Sequence, residues 1–195
     1  MKIYSKELLT LLAGFVKEKR GVVLVLCVIL MPLSVYSQKI AIKTNALEWA
    51  TVSPNISAEF VVSPTMSLDL SASFNEWTPY ANAKFDHLRI QPELRYWFQR
   101  PMAQHFVGFT LLYIDYDMMA KGVCHDGQGV GGGFTYGYDF VLSKRWNLEL
   151  AAGIGALYRT ERKYDEGSAY PETNNLKGWC FIPVKLGVTV SCVIF

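Results

Sequence analysis

From Gln38 onward the chain is a succession of segments in which apolar and polar residues alternate. Each is about ten residues long, and none has the 3.6-residue periodicity of an amphipathic helix. Strict alternation commits a segment to a strand with one apolar and one polar face. The clearest case is HLRIQPELRYWF, His87 to Phe98. One face carries Leu88, Ile90, Pro92, Leu94, Tyr96 and Phe98; the other carries His87, Arg89, Gln91, Glu93, Arg95 and Trp97. The pattern predicts eight strands: near Ile40–Ala50, then Asn55–Val62, Ser67–Asn75, His87–Phe98, near His105–Tyr116 (in an ambiguous register), Gly131–Val141, Trp146–Arg159 and about Gly178–Phe195.

The connections alternate in length. SPTM, QRPMAQ and LSKR are tight, whereas EWTPYANAKFD, AKGVCHDGQGV and TERKYDEGSAYPETNNLK are long, polar and rich in Gly, Asn and Pro; the remaining connection on the long side, TVSP, is short. Short turns on one rim and long loops on the other are the arrangement of an up-and-down membrane barrel.

Which face points outward decides the kind of barrel. The polar faces carry Lys43, Arg89, Arg95, Arg159 and Lys185 against Glu59, Asp69, Glu93, Asp139 and Glu149, and are otherwise mostly Gly, Ser, Asn and Thr. A water-facing surface would carry more charge, about a quarter to a third of its residues. Balanced charges among small residues suit a narrow interior in which each ion finds a partner. Aromatic residues gather near the strand ends of the apolar face: Trp49, Tyr113, Tyr158 and Trp179 towards the long loops, and Tyr96, Phe98, Trp146 and Phe195 towards the short turns. Two such belts are expected where a lipid-facing band meets water. The expectation is therefore an all-β, eight-stranded antiparallel up-and-down transmembrane β-barrel, with those ten charged residues forming a network in a closed lumen. The competing fold is a soluble lipocalin-like barrel with an apolar lumen.

Residues 1–37 read as an export signal. Lys17, Lys19 and Arg20 precede an apolar run from Gly21 to Val35, and Val35 and Ser37 suit cleavage before Gln38. The alternative is a retained anchor, for which the run is short. Without this segment the chain keeps 19 − 5 = 14 basic and 17 − 2 = 15 acidic residues, so no polyanion-binding surface is indicated. Domains are accordingly 1–37, signal peptide, and 38–195, barrel.

Several stretches together carry a family resemblance: KTNALEWATVSPNISAEF, SLDLSASFNEW, QPELRYWF and GYDFVLSKRWNLELAAGIG. They resemble the uncharacterised outer-membrane barrels of Bacteroides-type bacteria known as domain of unknown function 3575. The resemblance spans Lys43 to the C-terminus and implies an outer-membrane location and a small barrel; it carries over no catalytic or ligand residue. The ending SCVIF has the terminal aromatic that barrel assembly reads, although Cys192 and Ile194 share a face and Phe195 lies on the other.

Sites for chemistry are sparse. His87, His105 and His125 lie at separate strand ends or loops, which argues against a zinc site. His125, Asp126 and Ser168 sit in long loops and would be the parts of a lipid A acyl enzyme, but solvated loop residues are the simpler account. GVGGGF, Gly129 to Phe134, lacks the Lys-Ser/Thr of a phosphate loop, and its glycines suit a bending wall. Of the mature cysteines, Cys192 falls on the apolar face, and Cys124 and Cys180 near the long-loop rim could pair. The expectation is a monomeric, non-enzymatic, cofactor-free and metal-free protein of the outer membrane, structural or adhesive in role. Its partners would be outer-membrane lipid and a surface or fimbrial protein met through the loops, with no nucleic acid. The alternatives are a lipid-modifying enzyme and a narrow pore, the latter disfavoured because eight strands leave no channel.

Overall fold

The computed structural model describes residues 39–76, 83–120, 122–168 and 170–194. Residues 1–38, which include the expected export signal, and Phe195 lie outside them, as does most of the loop between the third and fourth strands. Eight antiparallel strands close into a barrel, each paired with its neighbour in sequence and the first with the last. They are β1 (Ile40–Asn45), β2 (Asn55–Ser63), β3 (Met66–Asn75), β4 (Ala83–Trp97), β5 (Gln104–Ala120), β6 (Val123–Val141), β7 (Trp146–Asp165) and β8 (Leu176–Val193). A short helix, α1 (Ala46–Ala50), follows β1.

The expected first strand is cut short at Asn45. The Asn45 side chain accepts a hydrogen bond from the Leu47 N–H at 3.1 Å and caps α1. The same side chain reaches β8, donating to the Leu186 carbonyl and accepting from the Val188 N–H. An Asn that satisfies its own turn competes with the ladder, and here the turn wins.

The opposite correction applies between β5 and β6. AKGVCHDGQGV is not a long loop: Ala120 pairs with Val123, and nearly all of the segment is strand. Gly122 turns the chain at φ 77°, a conformation with no steric cost for glycine. Strand β7 likewise runs on to Asp165.

Following the register around the sheet, Lys43 aligns with Ser57, Ser71, Gln91, Leu112, Gly131, Leu157 and Cys180, yet its direct neighbour on β8 is Ser191. The closure is thus staggered by 191 − 180 = 11 residues, less the one extra residue at the β8 bulge. Such a stagger tilts the strands by about 40°.

The fifth strand's register resolves with Phe106, Thr110, Leu112 and Tyr116 buried inside and Val107, Phe109, Leu111 and Tyr113 outside. The exterior is apolar: Phe181 is 93% exposed, Ile154 78% and Phe134 71%. Tyr113, Val130, Tyr158 and Trp179 pair in one continuous row, the last two in edge-to-face ring contact. One outward row further on, the residues are Asp115, Gln128, Thr160 and Lys177. On β6 the apolar band runs from Val130 to Phe140, about 33 Å of strand and about 25 Å along the barrel axis at that tilt.

Candidate functional site: the charged lumen

The lumen is filled in layers. At the short-turn end Trp97 and Phe106 pack ring to ring, centroids 4.8 Å apart, with Ala151 beside them. Trp97 had no assigned role on the polar face of its strand; it closes this end, its indole N–H donating to Ser67 Oγ at 2.7 Å.

Above it lies the charge network. The Arg95 guanidinium is fully buried and forks onto Glu149, with Nη1–Oε2 at 2.8 Å and Nη2–Oε1 at 3.0 Å. It also donates to Glu59 at 3.1 Å, Asp69 at 2.9 Å and Glu93 at 3.3 Å, and its other face lies 4.4 Å from the Phe106 ring centroid. Lys43 bridges Glu59 and Glu149, and Lys185 bridges Glu93 and Asp69. Three cations thus serve four carboxylates, 3 − 4 = −1. Hydroxyls meet the remaining lone pairs: Ser57 donates to Asp69, Ser67 to Glu59, and Thr135 to Glu93 at 2.5 Å.

Two local features make room for this layer. At Gly108 a Cβ would fall 2.4 Å from both Glu93 Oε1 and Thr135 Oγ1. On β8, Gly153 faces Lys185 and Ile154 faces Pro183, so Val184 is the extra residue of a bulge. The bulge lets the successive residues Val184 and Lys185 both point inward, the first fully buried and the second into the network.

Seven of the ten anticipated residues meet here: Lys43, Glu59, Asp69, Glu93, Arg95, Glu149 and Lys185. The other three do not. Asp139 is buried and forms no ion pair among the described residues; it accepts from Asn147 Nδ2 at 3.0 Å. Arg89 pairs at 2.5 Å with Glu48 of α1 rather than with Asp69 or Glu59, because the helix replaces the continuation of β1 above the network. A cavity of about 30 Å³ lies between this lid and the network, the scale of one or two waters. Arg159 belongs to a separate cluster at the long-loop mouth, 3.5 Å from the buried Glu161. Glu161 also receives the Tyr116 hydroxyl at 2.5 Å and faces His125 Nδ1 at 3.1 Å. Continuing the β7 alternation two residues past Arg159 would have placed Glu161 inside. Nothing in the sequence announced Glu48.

Between network and mouth lies an apolar layer of Leu112, Leu157 and Val184, flanked by Ile114, Cys180 and Ile182. Cys180 therefore points inward. Cys124 pairs with Met119 and Tyr164 on the outward face, about seven residues higher on the neighbouring strand, and both thiols are free. The wall between them separates Cys124 from Cys180, so the disulfide that the sequence left open does not form.

Asp126 is also outward, hydrogen-bonded by the Tyr170 hydroxyl and 3.6 Å from Arg162. The bond to Asp126 raises the Tyr170 hydroxyl above its ordinary pKa. Ser168 is exposed in the β7–β8 connection, and among the described residues it makes no hydrogen bond to His125 or Asp126. His105 stands outside against Tyr136 and Tyr138, and His87 contacts Ser73, so the histidines are dispersed. Among the described residues no group of three or more His, Cys, Asp or Glu is placed to hold a metal.

A family model described as "Protein of unknown function (DUF3575)" matches residues 23–194. The chain belongs to this family. The match takes in every strand of the barrel and the whole charge network. No curated protein matches the chain.

Proposed function

We propose that the protein is a non-enzymatic barrel of a bacterial outer membrane, exported through a cleaved leader, with a structural or adhesive role. The observation that carries this reading is the pairing of a fully buried ion network inside with a large exposed apolar band outside. Water-soluble proteins rarely expose apolar patches beyond a few hundred Å². The band's height of about 25 Å, with aromatic residues at its edges, suits the hydrocarbon thickness of an outer membrane. The eight strands close into a ring in which each pairs with both neighbours, which is how a sheet spans lipid.

A filled lumen argues against a pore. Arg95, Glu59 and Glu93 are buried in the lumen, and Trp97 and Phe106 fill its short-turn end. The separation of Asp126 and Ser168 from the inward His125 argues against an acyl-transfer triad built from them. What remains available to a partner is the long-loop rim, where β5, β6 and β7 project beyond the row of Tyr113, Val130 and Tyr158.

Fractionation tests the reading. The mature protein should pellet with outer membranes, resist alkaline extraction and run faster unboiled than boiled. Recovery as a soluble periplasmic protein without a heat-dependent shift would overturn it.

A further inference from the structure

The barrel wall is uneven. Strand β1 has 6 residues and β2 has 9, whereas β7 has 20 and β8 has 18. Strand β8 is bonded to β7 from Leu176 to Cys192 but to β1 only from Thr189 to Val193. Its far end lies 189 − 176 = 13 residues beyond that contact, roughly 40 Å of strand. Among the described residues no strand covers this edge. In its place stand α1 and its turn.

The edge is built to stay open. Asn45 takes the Leu186 carbonyl and the Val188 N–H, and Gln91 Nε2 reaches from β4 to the Val184 carbonyl at 3.0 Å. The bulge at Val184 breaks the register, and Pro183 has no N–H to offer a ladder. A bulge and a proline on an edge discourage an added strand, so the geometry does not suit a β-strand partner. The flanks are apolar instead: Trp179, Phe181 and Leu186 on β8, and Leu47, Trp49 and Val52 beside α1, are all exposed. The nearest ion pair, Glu48 with Arg89, is satisfied internally. Trp179 belongs to the aromatic row, so the gap from Phe181 towards Val188 falls within the apolar band. Directly behind it lies the apolar layer of the lumen, with Cys180 and Ile182 partly exposed.

We propose that this gap is a lateral opening that admits an acyl chain of a bilayer lipid to the layer formed by Leu157, Cys180, Ile182 and Val184. An acyl chain suits the apolar flanks of the gap and the apolar layer behind them. The inference rests on the membrane reading, and the test separates the two.

Full mature protein lacking Cys124 (Cys124→Ser) and keeping either Cys180 or Cys192 is labelled with a small bimane fluorophore. It is then reconstituted in phosphatidylcholine vesicles with brominated acyl chains. Cys192 lies on the outer face and reports the bilayer itself. Bimane on both positions should lose at least half its emission to brominated chains and respond little to aqueous iodide. Quenching at Cys192 but not at Cys180, repeated with Ile182→Cys as the inward position, would overturn the opening and leave the membrane barrel intact. Quenching at neither position would overturn both.

Discussion

Arg95 on β4 and Glu149 on β7 meet across the lumen as a two-pronged pair, at 2.8 and 3.0 Å, 54 residues apart in sequence. Both side chains are essentially inaccessible to solvent. Such a fork is stronger and more directional than a lysine contact. It ties β4 to β7 across the lumen at the level where Lys43 of β1 meets the same Glu149.

Removing Arg95 leaves four buried carboxylates to Lys43 and Lys185. Breaking a buried ion pair by deleting one partner typically costs about 3–5 kcal/mol. Arg95→Met should lower the unfolding free energy in detergent by an amount in that range, and Arg95→Lys should recover only part of it, since an ammonium cannot fork. Urea titration of the heat-dependent gel shift measures both.

Glu93 and Leu94 are neighbours on opposite faces, one buried and one 42% exposed. Glu93→Ala removes the nearer of the two carboxylates on Lys185 and the acceptor of the Thr135 hydroxyl and should be clearly destabilising, while in the proposed membrane barrel Leu94→Ala should cost less because lipid would fill the space. Leu94→Arg should be worse than Leu94→Ala by about 2–4 kcal/mol near the bilayer midplane. A neutral Glu93→Ala beside a severe Leu94→Ala would instead describe a soluble barrel with an apolar core.

Gly108 has no spare volume. The methyl of Gly108→Ala would collide with the Glu93 carboxylate and the Thr135 hydroxyl, which are bonded to each other. Overpacking costs about 1–3 kcal/mol. The substitution should lower stability, and the double variant with Thr135→Ser should not restore it, because the hydroxyl stays in place.

Cys124 and Cys180 face opposite sides of the wall, separated along β7 by the stretch from Tyr164 to Leu157, about 23 Å. A disulfide needs Cα atoms within about 7 Å. Denatured under non-reducing conditions, mature protein purified aerobically should titrate all of Cys124, Cys180 and Cys192 as thiols. An intramolecular crosslinked peptide joining Cys124 to Cys180 would contradict this register.

Much of the barrel is legible in the sequence because alternation is local. Leu94 next to Glu93 and Arg95 tells which faces oppose each other whatever the rest of the chain does, and a period of two leaves no intermediate choice. Sidedness, strand number and seven members of the charge network follow from that. Local rules could not reveal that β1 ends at Asn45, since the residues beyond it still alternate tolerably; the decision lies in an Asn side chain bonded to Leu186, 141 residues away. Nor could they reveal that AKGVCHDGQGV is strand, because glycine-rich polar sequence looks like loop until a neighbouring strand accepts it. Partner choice was equally hidden: Lys43 meets Glu149 across 106 residues, and Arg89 meets a helix that alternation does not foresee. Which face a residue takes depends on its own backbone. Which charge it meets there depends on the register at which eight strands close, and only the complete ring sets that.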